Sequence, residues 1–517
     1  MKHSKKLASL LLALVMALSL AVTAFADEST TYSITINNST AGHTYEAYQI
    51  FTGDLATNEA GNKVLSNIVW GSGVSEAGQT ALGDAAAKTE TLKTEADAKA
   101  FAKAVAPYLT TAAGSANTVT DGKYVISGLA AGYYLVKDQD GSLTGDNDSY
   151  TEYIIQVVGN VTATPKSDVP EVQKKVKDIN DSTDTTKTDW QDSADYDIGD
   201  SIPFQLKATL ADNVSSYTTY KVVFHDTLSK GLTYNNDAKV YIDGTETNGF
   251  TVTATVNADG TTTLTVSCDD VKALGAGNSS VITVEYTAKL NENAVLGSAG
   301  NPNEVYLEYS NNPNKSEEGD NETGETPKDV VIVFTYKTII NKVDSETKPL
   351  TGAAFKLEKL IKGEDGAADT WTTVKEFAVD GTTTSFTFSG LDDGQYKLTE
   401  TKTPVGYNTI DPIYFVIEAT HGETADVPTL KTLNAYLTDA NGNKQTEMKD
   451  GESVNIDLGT VDLTAGSITT TVVNKSGSEL PSTGGIGTTI FYVLGGVLVL
   501  AAVVLLVTKK RMSGAEK

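Results

Sequence analysis

The sequence holds one cysteine and four histidines in 517 residues. A single thiol makes an intrachain disulfide impossible. Cys268 ends the alternating run Thr261–Cys268 and reads as a small buried hydrophobe on a strand. The histidines, His3, His43, His225 and His421, are scattered and show no metal-ligand spacing. No metal and no cofactor is therefore expected. Basic residues are scarce, 40 against 67 acidic, for a formal net charge of −27. Such a surface repels nucleic acid and anionic lipid, and no phosphate-binding loop is present. Neither a paired-carboxylate cleft nor a nucleophile–base set can be placed, which argues against a glycosidase or hydrolase. Long apolar runs are confined to the two ends of the chain.

Those ends are informative. Lys2, Lys5 and Lys6 precede an apolar run from Leu7 to Val22 and the small-x-small site Ala24-Phe25-Ala26. Residues 1–26 read as a secretory signal peptide. At the other end, residues 488–508 carry no charge and are long enough for a membrane-spanning helix. Lys509-Lys510-Arg511 should hold the tail, 509–517, on the cytoplasmic side. Just before this span, within 476–487, stands Leu480-Pro481-Ser482-Thr483-Gly484. It resembles the LPxTG sorting signal of Gram-positive surface proteins. The resemblance implies that a sortase cuts between Thr483 and Gly484 and passes the Thr483 carbonyl, through a thioester, to an amine. Removing both ends takes away seven basic residues and one acidic residue, leaving 33 against 66 in the exported piece.

Between the ends, short alternating apolar–polar runs rich in Thr, Val and Tyr predict a mostly β chain of tandem sandwiches. Three regions are expected. The first, 27–165, has strands near 31–36, 45–51, 124–126, 132–136 and 153–158. It carries a helical insertion over 76–109, where Ala, Lys, Glu and Leu recur at helical spacing. The second, 166–329, opens on a joint stiffened by Pro165 and Pro170. The third, 330–475, begins with a strand expected from Val330 to Lys342. The Asp-rich stretch 178–200 lacks the ordered spacing of a calcium loop and reads as a solvated acidic loop.

Side chains alternate across a strand, so residues two apart share a face. In the third region Lys342 shares parity with Ile340, Glu400 with Leu398 and Tyr396, and Asn474 with Val472. In the second region Lys174 lies with Val172 and Val176, Asp226 with Phe224 and Val222, and Asn303 with Val305 and Leu307. Each region thus aims a Lys, an acid and an Asn at its apolar side, in the same chain order. A buried charge is costly unless paired. Burial lowers an amine pKa and raises a carboxyl pKa. A neutral Lys amine beside an Asn carboxamide and a protonated acid is set to form an isopeptide bond with loss of ammonia. Asn311 shares the parity of Asn303, so the second region has two candidate partners for Lys174. The first region shows no comparable set.

These residues resemble a known family, the LPxTG-anchored major pilins of Gram-positive bacteria, whose domains are similar to collagen-adhesin modules that close such bonds themselves. Tyr396-Lys-Leu-Thr-Glu-Thr-Lys-Thr-Pro404 looks like the family's E-box, with Glu400 as catalyst. Lys342 and Asn474 match the reactive strands, and Phe224-His-Asp-Thr-Leu228 with Asn303 resembles the middle pilin domain, which implies Asp226 as its catalyst. Thr164-Pro165-Lys166 has the place of the pilin motif, with Thr for its usual Tyr and Ser167 for its Asn. The resemblance implies that Lys166 attacks the sortase thioester and is joined to Thr483 of the next subunit. The implied function is the backbone of a covalent, cell-wall-anchored pilus. The implied partners are sortase, further copies of the chain, minor pilins and peptidoglycan. The host ligand is not legible. The competing reading is a wall-anchored adhesin for host matrix or glycan, which needs no acceptor lysine.

Overall fold

Alternating β-branched and aromatic residues leave one apolar face per strand, and such faces are buried by pairing sheets. The computed structural model follows that rule throughout. It describes residues 30–165, 168–183, 189–316, 321–363, 367–445, 454–455 and 460–477. The signal segment, Lys166, the sorting signal and the apolar run 488–508 lie outside the described residues. Among the described residues no helix is long and apolar enough to cross a membrane.

The chain forms two compact units. Of the described residues, those within 30–179, 189–335 and 420–431 make one; those within 180–183, 336–419 and 432–477 make the other. In the first unit, residues 32–163 make a three-stranded sheet and a five-stranded sheet. Their core includes Ile34, Ile36, Tyr45, Tyr124, Tyr134 and Val136. The helical stretch is three short helices, Glu76–Leu82, Ala85–Thr91 and Glu95–Val105. Ser75, Asp84 and Thr94 cap them by accepting from backbone N–H groups, which satisfies donors a helix start leaves open. Phe101 anchors the insertion by stacking on Phe51, ring centroids 5.4 Å apart.

The same unit contains two seven-stranded sheets. Glu171–Lys177, Ser201–Thr209 and Val281–Leu290 are consecutive neighbours in one of them. Asp329–Phe334, Asn301–Ser310 and Val222–Leu228 are consecutive neighbours in the other. Phe204, Leu206, Phe224, Leu264, Val284 and Leu307 lie in the core between them. Two expectations need correction here. The run Val330–Lys342 is not one strand. It breaks at Thr335: Asp329–Phe334 pairs with Asn301–Val305, and Tyr336–Asp344 enters a sheet of the second unit. Val331 and Val333 are buried in the core of the first unit, so their apolar character does not extend the next region's strand. The acidic stretch is also not simply solvated. Trp190–Gln191 and Ser193–Asp195 are short strands, and Asp192 and Asp195 are buried.

In the second unit Tyr336–Asp344 pairs in parallel with Ser467–Asn474, which puts Lys342 opposite Val472 and Asp344 opposite Asn474. A second sheet carries Ala354–Ile361, Gly394–Lys402 and Ile413–His421. Phe355, Leu357, Phe386, Phe388, Tyr396 and Leu398 are buried.

Candidate isopeptide sites

The parity argument places six polar side chains inside, and all six are buried: Lys174, Asp226, Asn303, Lys342 and Asn474 at 0 % exposure and Glu400 at 6 %.

In the first unit Lys174 projects from one sheet, Asp226 and Asn303 from the other. Lys174 Nζ forms an ion pair with Asp226 Oδ1. It also donates to the hydroxyl of Tyr286 at 3.2 Å. That hydroxyl donates to Asp226 Oδ2 at 2.5 Å and accepts from Asn303 Nδ2 at 2.8 Å. Asn303 Oδ1 is buried without a hydrogen-bond partner. The amine lies 5.5 Å from the ring centroids of both Phe204 and Tyr286. In these apolar surroundings burial pushes the Lys174 amine pKa down and the Asp226 carboxyl pKa up, against the attraction of each for the other. Both shifts favour a neutral amine beside a protonated acid.

Asn311 goes elsewhere. Its Nδ2 donates to Asp148 Oδ1 at 3.2 Å, and its backbone carbonyl accepts from Tyr150 N at 2.8 Å. The strand Asn301–Ser310 ends before it. Of the two asparagines that parity left open, Asn303 is the one beside the lysine site.

In the second unit Lys342 Nζ donates to the carbonyls of Val343 and Val472, at 3.0 and 3.1 Å. Asn474 Nδ2 donates to Glu400 Oε2 at 3.0 Å and to the Asn408 carbonyl at 2.8 Å. Thr403 Oγ1 also donates to Glu400 Oε2, at 3.1 Å. Glu400 Oε1 and Asn474 Oδ1 are buried without a hydrogen-bond partner. Burial holds the Lys342 amine down at about 8, partly offset by the charge of Glu400. Near neutral pH an appreciable fraction of this amine is thus unprotonated, with its lone pair available. Here the carboxyl touches the carboxamide directly, whereas in the first unit it touches the amine.

Three buried groups were not found by sequence reading. Tyr286 looks like any aromatic residue on an apolar face. His421 meets Asp178 and Asp195 from far along the chain: its Nε2 lies 3.4 Å from Asp178 Oδ2 and 3.9 Å from Asp195 Oδ1. Its Nδ1 lies 2.7 Å from Ser193 Oγ, which itself donates to the Gly422 carbonyl at 2.9 Å. Both ring nitrogens thus face acceptors, an arrangement suited to an imidazolium. Lys359 is buried against Asp392, Nζ to Oδ2 3.0 Å. It shares parity with Phe355 and Leu357 on the strand Ala354–Ile361. Near the proposed acceptor, Asp168 Oδ2 accepts from Asp212 N at 2.7 Å.

Comparisons with known proteins agree on the class. A model described as Gram-positive pilin backbone subunit 2, Cna-B-like domain, matches residues 198–313. One described as SpaA, prealbumin-like fold domain, matches 337–431, and the LPXTG cell wall anchor motif matches 472–513. The chain is 26 % identical to the trypsin-resistant surface T6 protein of Streptococcus pyogenes serotype M6, over 76 % of this chain and 77 % of that protein. The solved structure of the T6 backbone pilin of serotype M6 S. pyogenes, described as a modular three-domain structure, superposes with a TM-score of 0.55. It is 18 % identical and covers 87 % of this chain and 100 % of its own. The full-length major pilin SpaD of Corynebacterium diphtheriae gives a TM-score of 0.48 at 18 % identity, covering 88 % and 99 %. With these domain matches and the anchor in their order along one sequence, the comparisons support a sortase-anchored major pilin, and the chain is similar to the LPXTG-anchored backbone pilins of Gram-positive bacteria. It is a structural subunit of a pilus at the cell surface, exported and anchored to the cell wall.

Proposed function

We propose that this subunit is polymerised head to tail through Thr483 and Lys166, and that it welds its own domains with Lys174–Asn303 and Lys342–Asn474 isopeptide bonds. The observation that carries the self-welding is the pair of buried Lys, acid and Asn sets, each with an amine pKa lowered by burial. In each set the Nζ lone pair attacks the carboxamide Cγ, an Nζ proton moves through the acid to Nδ2, and ammonia leaves. Asp226 and Glu400 end as they began, so the chemistry is self-directed and turns over once. Polymerisation rests on the anchor motif and on a lysine in the Pro-stiffened joint between two regions. One donor near the C-terminus and one acceptor near the first boundary make an open, non-closing chain.

Intact-mass measurement tests the welding. The exported chain is expected to lack two ammonia units, and Glu400→Ala is expected to restore one of them. A full mass in the unsubstituted chain would contradict the proposal.

A further inference from the structure

The hydroxyl of Tyr286 is the one oxygen in the first unit's site that touches all three reacting groups. It donates to Asp226 Oδ2 at 2.5 Å and accepts from Asn303 Nδ2 at 2.8 Å and Lys174 Nζ at 3.2 Å. Its position is fixed by the fold. Tyr286 lies opposite Phe204 in the strand register, stacks on that ring at 5.5 Å, and meets the edge of Tyr234 at 5.6 Å.

The second unit shows what this hydroxyl replaces. There the Oε2 of Glu400 itself accepts from the Asn474 amide nitrogen, at 3.0 Å. Aspartate is one methylene shorter than glutamate. In the first unit Asp226 engages the lysine with Oδ1, and Oδ2 is linked to the amide nitrogen through the Tyr286 oxygen. Asp226 thus reaches its amide nitrogen only through the phenol, whereas the longer Glu400 touches its amide nitrogen directly.

We propose that Tyr286 is a catalytic residue for the Lys174–Asn303 bond, passing the proton of Asp226 to the leaving nitrogen of Asn303. The inference rests on the bond proposed above. Nζ attacks Cγ and the Nζ–Cγ bond forms. As Nδ2 becomes tetrahedral it gains a lone pair, and the phenol turns from Oδ2 to donate its proton there. Asp226 replaces the phenol proton and takes one from Nζ. The Cγ–Nδ2 bond then breaks and ammonia leaves. One proton has moved from Nζ to Nδ2; Tyr286 and Asp226 are regenerated.

The test follows the cross-linked Lys174–Asn303 peptide by mass spectrometry at timed intervals after synthesis of the full chain. Removing a proton-transfer group costs about a hundredfold or more in rate, so Tyr286→Phe is expected to form the bond at least about a hundredfold more slowly. A Tyr286→Phe chain that forms it at the unsubstituted rate overturns the proposal. Packing is separated from proton transfer by reach. Where Asp226→Glu alone forms the bond, Asp226→Glu with Tyr286→Phe should form it too, because the longer carboxyl no longer needs the phenol. A double variant that stays unlinked beside a linked single variant overturns the relay. An unsubstituted chain without the Lys174–Asn303 peptide would instead overturn the bond itself, and this inference with it.

Discussion

At the scale of single residues, parity was enough to find the buried Lys, acid and Asn side chains. Lys342, Glu400 and Asn474 are buried on alternating strands, and the two-residue period decides this before any tertiary contact exists. Parity says which face a side chain takes and nothing about which partner it meets. That is why Asn303 and Asn311 stayed equivalent in the sequence, and why Tyr286 passed as core. The buried amine carries a pH prediction. Lys342 is held at about 8 against 10.5 for a free lysine, chiefly by burial. The folded state therefore binds fewer protons than the unfolded state between those values, so stability should rise with pH there. Urea unfolding of the unlinked Asn474→Ala chain is expected to show this rise. A chain that also carries Lys342→Met should lose it, and an equal rise in both would contradict the assignment.

His421 runs the opposite way. Burial lowers its pKa, but the carboxylates of Asp178 and Asp195 outweigh burial and the net shift is upward. Its contribution to stability is then fully present below a free histidine's value of about 6.5 and is lost as pH rises through the raised folded value. The unfolding midpoint of His421→Gln should fall furthest below the unsubstituted chain at low pH, with the gap closing as pH rises. A gap that stays constant between about pH 5 and 9 would contradict an imidazolium here. No spacing rule could have found this cluster, because its members are brought together by the fold rather than by a motif.

At the scale of elements, most strands were legible because Thr, Val and Tyr alternate cleanly. Thr251–Val256 was not read as a strand, and it is an edge strand exposed along its whole length. Without a buried face, nothing ties its pattern to the core. The break at Thr335 was invisible because two strands bound for different sheets are both apolar and almost continuous. The proposed Lys174–Asn303 bond would tie strand Glu171–Lys177 to strand Asn301–Ser310 across the two sheets. It closes a loop of about 130 residues, and the loop-entropy argument used for disulfides gives about 5 kcal/mol. Asn303→Ala is expected to lose stability of that order in equilibrium unfolding and to leave Lys174 unmodified in a peptide map. Asn311→Ala should keep the bond and lose only its contact with Asp148, worth about 1 kcal/mol. A map joining Lys174 to Asn311 would refute the pairing.

At the scale of the whole molecule, durability without disulfides needs another covalent device, and Cys268 is buried and single. Isopeptide bonds inside each unit and between subunits would supply it. A first strand welded to a late strand carries pulling force past the sandwich, so tension along a shaft would not unzip it. The class was legible because its signals are linear: a leader-like first stretch, paired strands with inward Lys, acid and Asn positions, and a sorting motif, in order. The proposed acceptor rests on resemblance alone, since a lysine beside a proline has no physical mark of its own. An exposed amine titrates near about 10.4 and is mostly protonated at neutral pH, so Lys166 needs a base to act. That base comes from a neighbouring acid or from the sortase; Asp168, the nearest acid in sequence, accepts from the Asp212 backbone.

The most direct test of the account is a peptide map of wall-released high-mass material, run beside an anti-subunit blot of unsubstituted and Lys166→Ala cells. The account predicts a ladder whose subunits are joined by a branched peptide linking the Thr483 carbonyl to Lys166 Nζ, and only monomer in the Lys166→Ala cells. A ladder that survives Lys166→Ala, or Thr483 found only on peptidoglycan in unsubstituted cells, would contradict it.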